Sequence, residues 1–256
     1  MLLALTRDRS GRIWRLADAC GACAAATSRT AAVPDTLLAP RRPAASAPAA
    51  PRHFHDESRR VREMLTYLAS ALGCITSPAA RLLALQCALR AGTDGCARLP
   101  AGLLRSMRMH RRAEVWQELV ADGWLDLPVT RAAFMHVRLL DEAILDQAPG
   151  RSARRRAAHW ALQPSPLPIP PAAASAERLT ALVLASHADA SGTSADLAVV
   201  ARLCGHSRQQ MGELLDRLVA RRILAAWHHQ PDTDDVHWKP GPRRPLPLRP
   251  ASSPAP

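Results

Sequence analysis

One stretch of this sequence occurs twice, about a hundred residues apart. ELVADGWL at Glu118–Leu125 returns as RLVARRIL at Arg217–Leu224, with Leu-Val-Ala in register and an apolar pair closing each copy. Upstream, RLLAL at residues 81–85 matches RLTAL at residues 178–182. A period of this length is too long for a solenoid unit and fits two copies of a small domain. The sequence therefore predicts an internal duplication.

The apolar spacing predicts the same string of elements in each copy: helix, helix, turn, helix and a two-stranded hairpin. Ser77 followed by proline is a strong helix start, Ser207 is a second capping residue, and Gly123 is typical of a left-handed helix end. The predicted helices are 56–73, 78–91, 100–106, 110–122, 141–147, 151–162, 176–188, 196–204 and 207–221, and the predicted strands are 124–127, 134–140, 224–229 and 236–239. The fold class is therefore mainly α with short β-hairpins.

Composition divides the chain into five segments. Residues 1–55 are rich in Ala, Pro, Ser and Thr, and residues 240–256 are rich in Pro and Arg, so both tails are expected to be disordered. Residues 56–148 form the first domain, with an additional amphipathic helix, and residues 176–239 form the second. Residues 149–175 combine a basic helix with a proline-rich run, which favours an extended linker that holds the two domains apart.

The net charge of +12 favours a polyanionic partner. Of the 34 cationic residues only Lys239 is lysine, an arginine bias that a GC-rich coding sequence also produces. No nucleophile elbow, glycine-rich phosphate loop or pair of catalytic carboxylates is present, so we expect neither an enzyme nor a cofactor. Nucleic acid is favoured over a small acidic substrate.

The cysteines and the apolar runs indicate a compartment. The six cysteines lie mostly within apolar helical patterns, which suits buried thiols in a reducing environment better than a disulfide framework. The apolar start at residues 1–5 is too short for an export signal, and no run approaches the roughly 20 apolar residues that cross a bilayer. We expect a cytoplasmic protein with no membrane contact.

Two clusters have the residue types of a metal site. Cys20 and Cys23 have the spacing of half a zinc knuckle, but the second pair is missing and only His53 and His55 are nearby. The histidines and aspartates of residues 228–237 are explained by an exposed polar turn. The sequence therefore predicts no bound metal.

In a helix-turn-helix the third helix presents its N-terminal residues and its solvent face to the DNA major groove. Arginine and glutamine suit guanine and adenine edges, and a serine at a helix start can hold a phosphate. The same residues also fit the solvated face of an amphipathic helix. The candidate contacts are Arg105, Arg108, His110, Arg111, Arg112 and Gln117 in the first copy, and Ser207, Arg208, Gln209, Gln210 and Arg217 in the second.

Acidic residues distinguish the second copy. Its hairpin loop holds Asp232, Asp234 and Asp235, which repel a phosphate backbone, so we expect the first copy to be the stronger DNA contact and the second to bind a protein or to regulate the first. The helix at 56–73 is either an addition to the first domain or the surface of a homodimer. The arginines of residues 151–156 either follow a phosphate backbone or form a solvated face.

The two units, above all VARLCGHS at residues 200–207 and the text that continues to Trp227, resemble the winged helix-turn-helix domains of bacterial transcription regulators. The style is that of duplicated winged-helix proteins from GC-rich bacteria. The resemblance covers residues 78–140 and 176–239 and implies recognition of double-stranded DNA. We therefore expect a sequence-specific regulator; the alternatives are a replication initiator of a mobile element and a scaffold of tandem winged helices that does not read bases.

Overall fold

The protein has a mixed α/β fold that divides into two units, Met1–Ala50 and Pro51–Pro256. Its strands form antiparallel three-stranded sheets. The computed structural model describes residues 2–7, 14–19, 30–32, 53–131, 133–144, 150–167, 169–188 and 192–242.

The described part of the first unit is a small sheet. Strands β1 (Leu2–Arg7), β2 (Trp14–Ala19) and β3 (Thr30–Ala32) have the order β2-β1-β3. This differs from the disorder that composition predicts for residues 1–55. The physical reason is that six consecutive residue pairs of β1 and β2 satisfy one another's backbone groups, which composition alone does not reveal. The tail predicted at 240–256 lies outside the described residues beyond position 242.

The second unit begins with α1 (His53–Ala71), after which two strings of elements follow in the same order. The first repeat contains α2 (Pro78–Arg90), β4 (Cys96–Pro100), α3 (Ala101–Ser106), α4 (Ala113–Ala121), β5 (Val129–Arg131) and β6 (Phe134–Arg138). A 3-10 turn (Glu142–Ile144) and α5 (Arg151–Trp160) come next. The second repeat contains α6 (Ser175–His187), β7 (Ser194–Asp196), α7 (Leu197–Cys204), α8 (Arg208–Ala220), β8 (Leu224–Gln230) and β9 (Asp235–Pro240).

Both repeats also have the same sheet connectivity. The strand orders are β4-β6-β5 and β7-β9-β8, so in each repeat the strand before the second helix pairs with the last strand of the hairpin. The sequence missed β4 and β7. It also misplaced β5: residues 124–127 form only an isolated bridge, and the strand lies at Val129–Arg131, within the predicted loop. The Asp126 carboxylate accepts a hydrogen bond from the Leu127 N–H at 2.8 Å, which removes that group from the ladder.

Local helix signals behave as the sequence predicts. The Ser77 hydroxyl accepts a hydrogen bond from the Ala80 N–H at 3.2 Å, and Pro78 begins α2. Ser207 and Gln210 form a reciprocal capping box at the start of α8. Gly123 follows α4 with φ +67°, a backbone conformation that glycine adopts without strain. Capping chemistry is local, and sequence spacing alone therefore reveals it.

The prediction of an extended linker at residues 149–175 is wrong. Helix α5 packs against α1 and α2, and its Trp160 is buried, as is Leu167 within the proline-rich run. The Gln86 side chain on α2 donates a hydrogen bond from Nε2 to the Ala158 carbonyl of α5 at 3.0 Å. Because this segment has its own apolar face, it packs into a core that both repeats share.

The apolar face of α1 is buried within the second unit, against α2, α5, α6 and α7. This face is therefore not available for the homodimer considered for residues 56–73, because the chain itself covers it. The buried side chains are Val61, Met64, Leu65, Leu68 and Leu72.

Two arginines at matching positions connect the repeats. Arg81 on α2 donates hydrogen bonds to two carbonyls of the loop before its helix and lies beside Gly205, where an added Cβ would come within 2.7 Å of its Nε. Arg178 on α6 donates from Nη1 to the Ser106 carbonyl at 3.3 Å. The first helix of each repeat thus contacts the turn between the second and third helices of the other.

Candidate nucleic-acid interface

The turn between α3 and α4 exposes three arginines. Met107 and Met109 are buried and fix the turn on the core, so the intervening Arg108, with φ +60°, extends into solvent. Arg105 and Arg111 are also exposed, on either side of the turn. Among the described residues none of these three arginines has an acidic partner. Their charges are available to a polyanion.

Of the remaining candidates in the first repeat, two side chains are exposed and one is paired with a carboxylate. Gln117 is exposed on the solvent face of α4, and His110 is exposed in the turn before it, because the helix begins at Ala113 rather than at the predicted residue 110. Arg112 donates from Nε to the Glu114 carboxylate at 2.7 Å. This hydrogen bond is the main reason that the pKa of Glu114 lies below its usual value. Arg112 is therefore already partly neutralised.

Arg178 of the second repeat adds a cation to this surface. It is half-buried, and desolvation lowers the pKa of its guanidinium, with a smaller contribution from the positive charge of Arg108. The two cations are therefore near each other, beside the carbonyl of Ser106. The match between RLLAL and RLTAL places Arg178 on a first helix, but it gave no sign that the side chain reaches the other repeat.

In the second repeat, the arginine at the start of the third helix forms an ion pair within the repeat. Arg208 Nη2 lies 2.7 Å from Asp234 Oδ2 in the turn of the hairpin, and His229 Nε2 lies 2.9 Å from Asp234 Oδ1. The hairpin carboxylate thus reaches the start of α8. Arg208 does not present an uncompensated charge.

The other candidates of the second repeat are divided in the same way. Ser207 and Gln210 satisfy each other's backbone N–H groups in the capping box, so both side chains are engaged. Gln209 and Arg217 are exposed and have no side-chain partner within the described ranges. Only two of the five predicted contacts in this repeat are available.

Helix α5 also carries cations, but two of them are engaged or covered. Arg151 and Arg155 are exposed. Arg154 is buried, and desolvation lowers its pKa. Arg156 Nε pairs with Glu57 Oε1 of α1 at 3.1 Å. This helix is a packed element with a basic outer edge.

The described residues contain no cluster of three or more side chains suited to a metal ion. His228 and His237, on paired strands, stack with ring centroids 4.8 Å apart. Cys20 and Cys23 lie outside the described residues, as do the side chains of His53 and His55.

Known proteins provide no relative for comparison. No protein-family model, curated protein or solved structure matches the chain. In the described part of the chain, no helix combines the length and apolar character that crossing a bilayer requires. The geometry and charge of the two repeats therefore carry the evidence for function.

Proposed function

We propose that the chain is a cytoplasmic double-stranded DNA-binding protein, a transcriptional regulator built from two winged helix-turn-helix repeats of which the first contacts DNA. The shared element order, with the strand before the second helix paired to the last strand of the hairpin, supports a winged helix in both repeats. The net charge of +12 supports a polyanionic partner.

The observation that carries the proposal is the set of exposed arginines without acidic partners at the α3–α4 turn. In this proposal Arg105 and Arg108, together with the neighbouring Arg178, contact phosphates, which fix the register of a protein on DNA. Arg111 lies in the turn just before the third helix and Gln117 lies on its solvent face, and these residue types recognise guanine and adenine edges.

Salt dependence provides the first test. With about four phosphate contacts, the affinity for duplex DNA should fall about 150-fold between 50 and 200 mM salt, because each contact releases a condensed counterion. Fluorescence anisotropy with a labelled 20-base-pair duplex measures this slope. An affinity that does not change over this range contradicts the proposal.

A pair of matched variants tests which repeat binds. Combining R105Q, R108Q and R111Q should lower the affinity about a hundredfold or more, because three phosphate or base contacts are lost. The control combines R202Q, R208Q and R217Q, which removes the same charge from the second repeat and should change affinity less than about fivefold. Equal losses would show that net charge, rather than the first repeat, determines binding.

One observation favours a second candidate, a scaffold that binds protein through the second repeat. Asp234 neutralises Arg208, and Glu213 and Asp232 are exposed nearby on α8 and the hairpin turn. A repeat with this charge pattern suits a basic protein surface better than DNA. A scaffold without DNA binding would show no salt-dependent duplex affinity.

A further inference from the structure

A groove of about 510 Å³ lies in the first repeat between α4 and the hairpin of β5 and β6. Trp116, Leu127 and Met135 contribute apolar surface, and Arg111 and Arg112 are at the end where α4 begins. This volume is in the range of sites that hold small molecules, roughly 300–1,000 Å³. The groove combines an apolar interior with a cationic end.

The second repeat shows what fills the corresponding space. Trp227 on β8 is half-buried against the core, and its indole N–H donates to the Asp216 carboxylate of α8 at 2.9 Å. In the alignment of the repeated sequence, Asp216 corresponds to Gln117 of the first repeat. In the second repeat an aromatic ring from the chain itself therefore bridges the third helix and the hairpin.

The first repeat lacks this internal ring. Beyond α4 the groove is lined by Leu127, Pro128 and Met135, none of which is aromatic, and Leu127 is 71% exposed. The polar groups differ as well: Gln117 replaces Asp216, which receives the indole N–H in the second repeat, and Arg111 at the cationic end of the groove has no acidic partner among the described residues. A complementary ligand has a flat apolar body and a negative charge.

We propose that this groove binds a small aromatic carboxylate, with the ring between Trp116 and Met135 and the carboxylate on Arg111. The apolar body occupies the position that Trp227 has in the second repeat. The carboxylate of the ligand pairs with Arg111, which lines the cationic end of the groove and has no acidic partner among the described residues. Binding is non-covalent and reversible.

The ligand site does not depend on the proposed function, because ligand binding is measured with no DNA present. If both are correct, they share Arg111, so the ligand competes with DNA. The duplex affinity of the wild-type protein then falls as ligand is added. Loss of DNA binding with intact ligand binding refutes only the proposed function, and the reverse result refutes only this inference.

Two probes of the same shape test the chemistry by isothermal titration calorimetry on the full chain. 1-Naphthoate should bind saturably, and the uncharged 1-naphthalenemethanol should bind about tenfold more weakly, because it has no negative charge and cannot form a bidentate pair with the Arg111 guanidinium. Equal affinities for the two probes would overturn the assignment of an anion. Absence of saturable naphthoate binding to the wild-type protein would overturn the site.

Two variants locate the site. R111Q should weaken naphthoate about tenfold and leave the uncharged probe unchanged, and R202Q, an exposed charge removed from the second repeat, should change neither. A121F places a ring in the groove from an exposed position at the end of α4 and should abolish binding of both probes. The thermal midpoint verifies that each variant folds. Naphthoate affinity that survives both R111Q and A121F overturns the proposal.

Discussion

The two repeats of the second unit share their connectivity, yet they treat the third helix in opposite ways. The first leaves Arg105, Arg108 and Arg111 uncompensated around the start of α4. The second pairs Arg208 with Asp234 and uses Gln210 as part of a cap. The difference teaches that the apolar pattern determines the backbone plan, whereas a few polar side chains determine what each copy can bind.

The polar contact that joins the first and third helices, which we call the helix joint, also differs between the repeats. In the first repeat the acid is on the third helix, where Glu118 accepts a hydrogen bond from the Ser77 N–H at 2.8 Å. In the second repeat the acid is on the first helix, where Glu177 receives Arg221 Nε at 2.8 Å and the Ala174 N–H at 3.0 Å. In both repeats a carboxylate links the first and third helices, but the helix that carries it differs between the two.

The largest expected effect tests whether the repeats form one body at all. Leu83 on α2 is fully buried in the core that the repeats share, so L83A should lower the free energy of unfolding by about 2–5 kcal/mol. Urea denaturation followed by circular dichroism should remain a single transition for the second unit. I75A, at a position that is 92% exposed, is the control and should have little effect. If L83A separates the unfolding of the two repeats, they are independent domains.

The next effect compares the two helix joints. E177Q should destabilise the fold by about 1–3 kcal/mol, because the Glu177 side chain is only 5% exposed and loses a charged partner. E118Q should cost less than about 1 kcal/mol, because the amide oxygen still accepts the Ser77 N–H. Thermal denaturation compares the two variants. An equal loss would mean that the ion pair with Arg221 does not distinguish the joints.

Releasing Arg208 should make the second repeat resemble the first. D234N removes the acidic partner and should raise the duplex affinity about tenfold, since it frees a cation as well as adding one unit of charge. D232N adds the same charge from an exposed position in the same turn and should raise affinity less than about threefold. Anisotropy titrations at one salt concentration measure both. Equal gains would show that the pairing of Arg208 has no role.

The last comparison concerns a feature that the repeats share, one buried thiol in each. Burial raises the pKa of Cys87 and of Cys204 to about 12, from a reference value of 9.0. A raised folded-state pKa favours the protonated thiol, so this stability is complete below pH 9 and is lost as pH rises from 9 to 12. Urea denaturation at a series of pH values measures the decline. C87A and C204A should each flatten it by a similar amount, and a decline due entirely to one cysteine would contradict the shared feature.

Local and repeated signals made much of the fold predictable. Ser77, Gly123 and Ser207 mark helix ends through contacts within a few residues, and the repeated text indicates where the second copy begins. The packing of α5 was not predictable in this way. Its arginines dominate the composition, whereas Ala158 and Trp160 meet partners that are distant in sequence.

The sequence predicted which residue types form the candidate site, but it predicted only in part which of these side chains are free of other partners. Arg111 is exposed, as predicted, although it lies in the turn before α4 rather than on the helix itself. The engagement of Arg208 depends on a carboxylate 26 positions away that only the hairpin turn brings into reach. The contribution of Arg178 depends on how the repeats pack, which helical periodicity does not encode.

Hydrogen–deuterium exchange with and without a duplex tests most directly whether DNA contacts the third helix of the first repeat and not that of the second. Bound DNA covers backbone amides at the contact surface, so residues 105–117 should gain protection at low salt while residues 207–217 remain unchanged. Protection of residues 207–217, with or without residues 105–117, or of neither stretch at saturating duplex, would contradict the account.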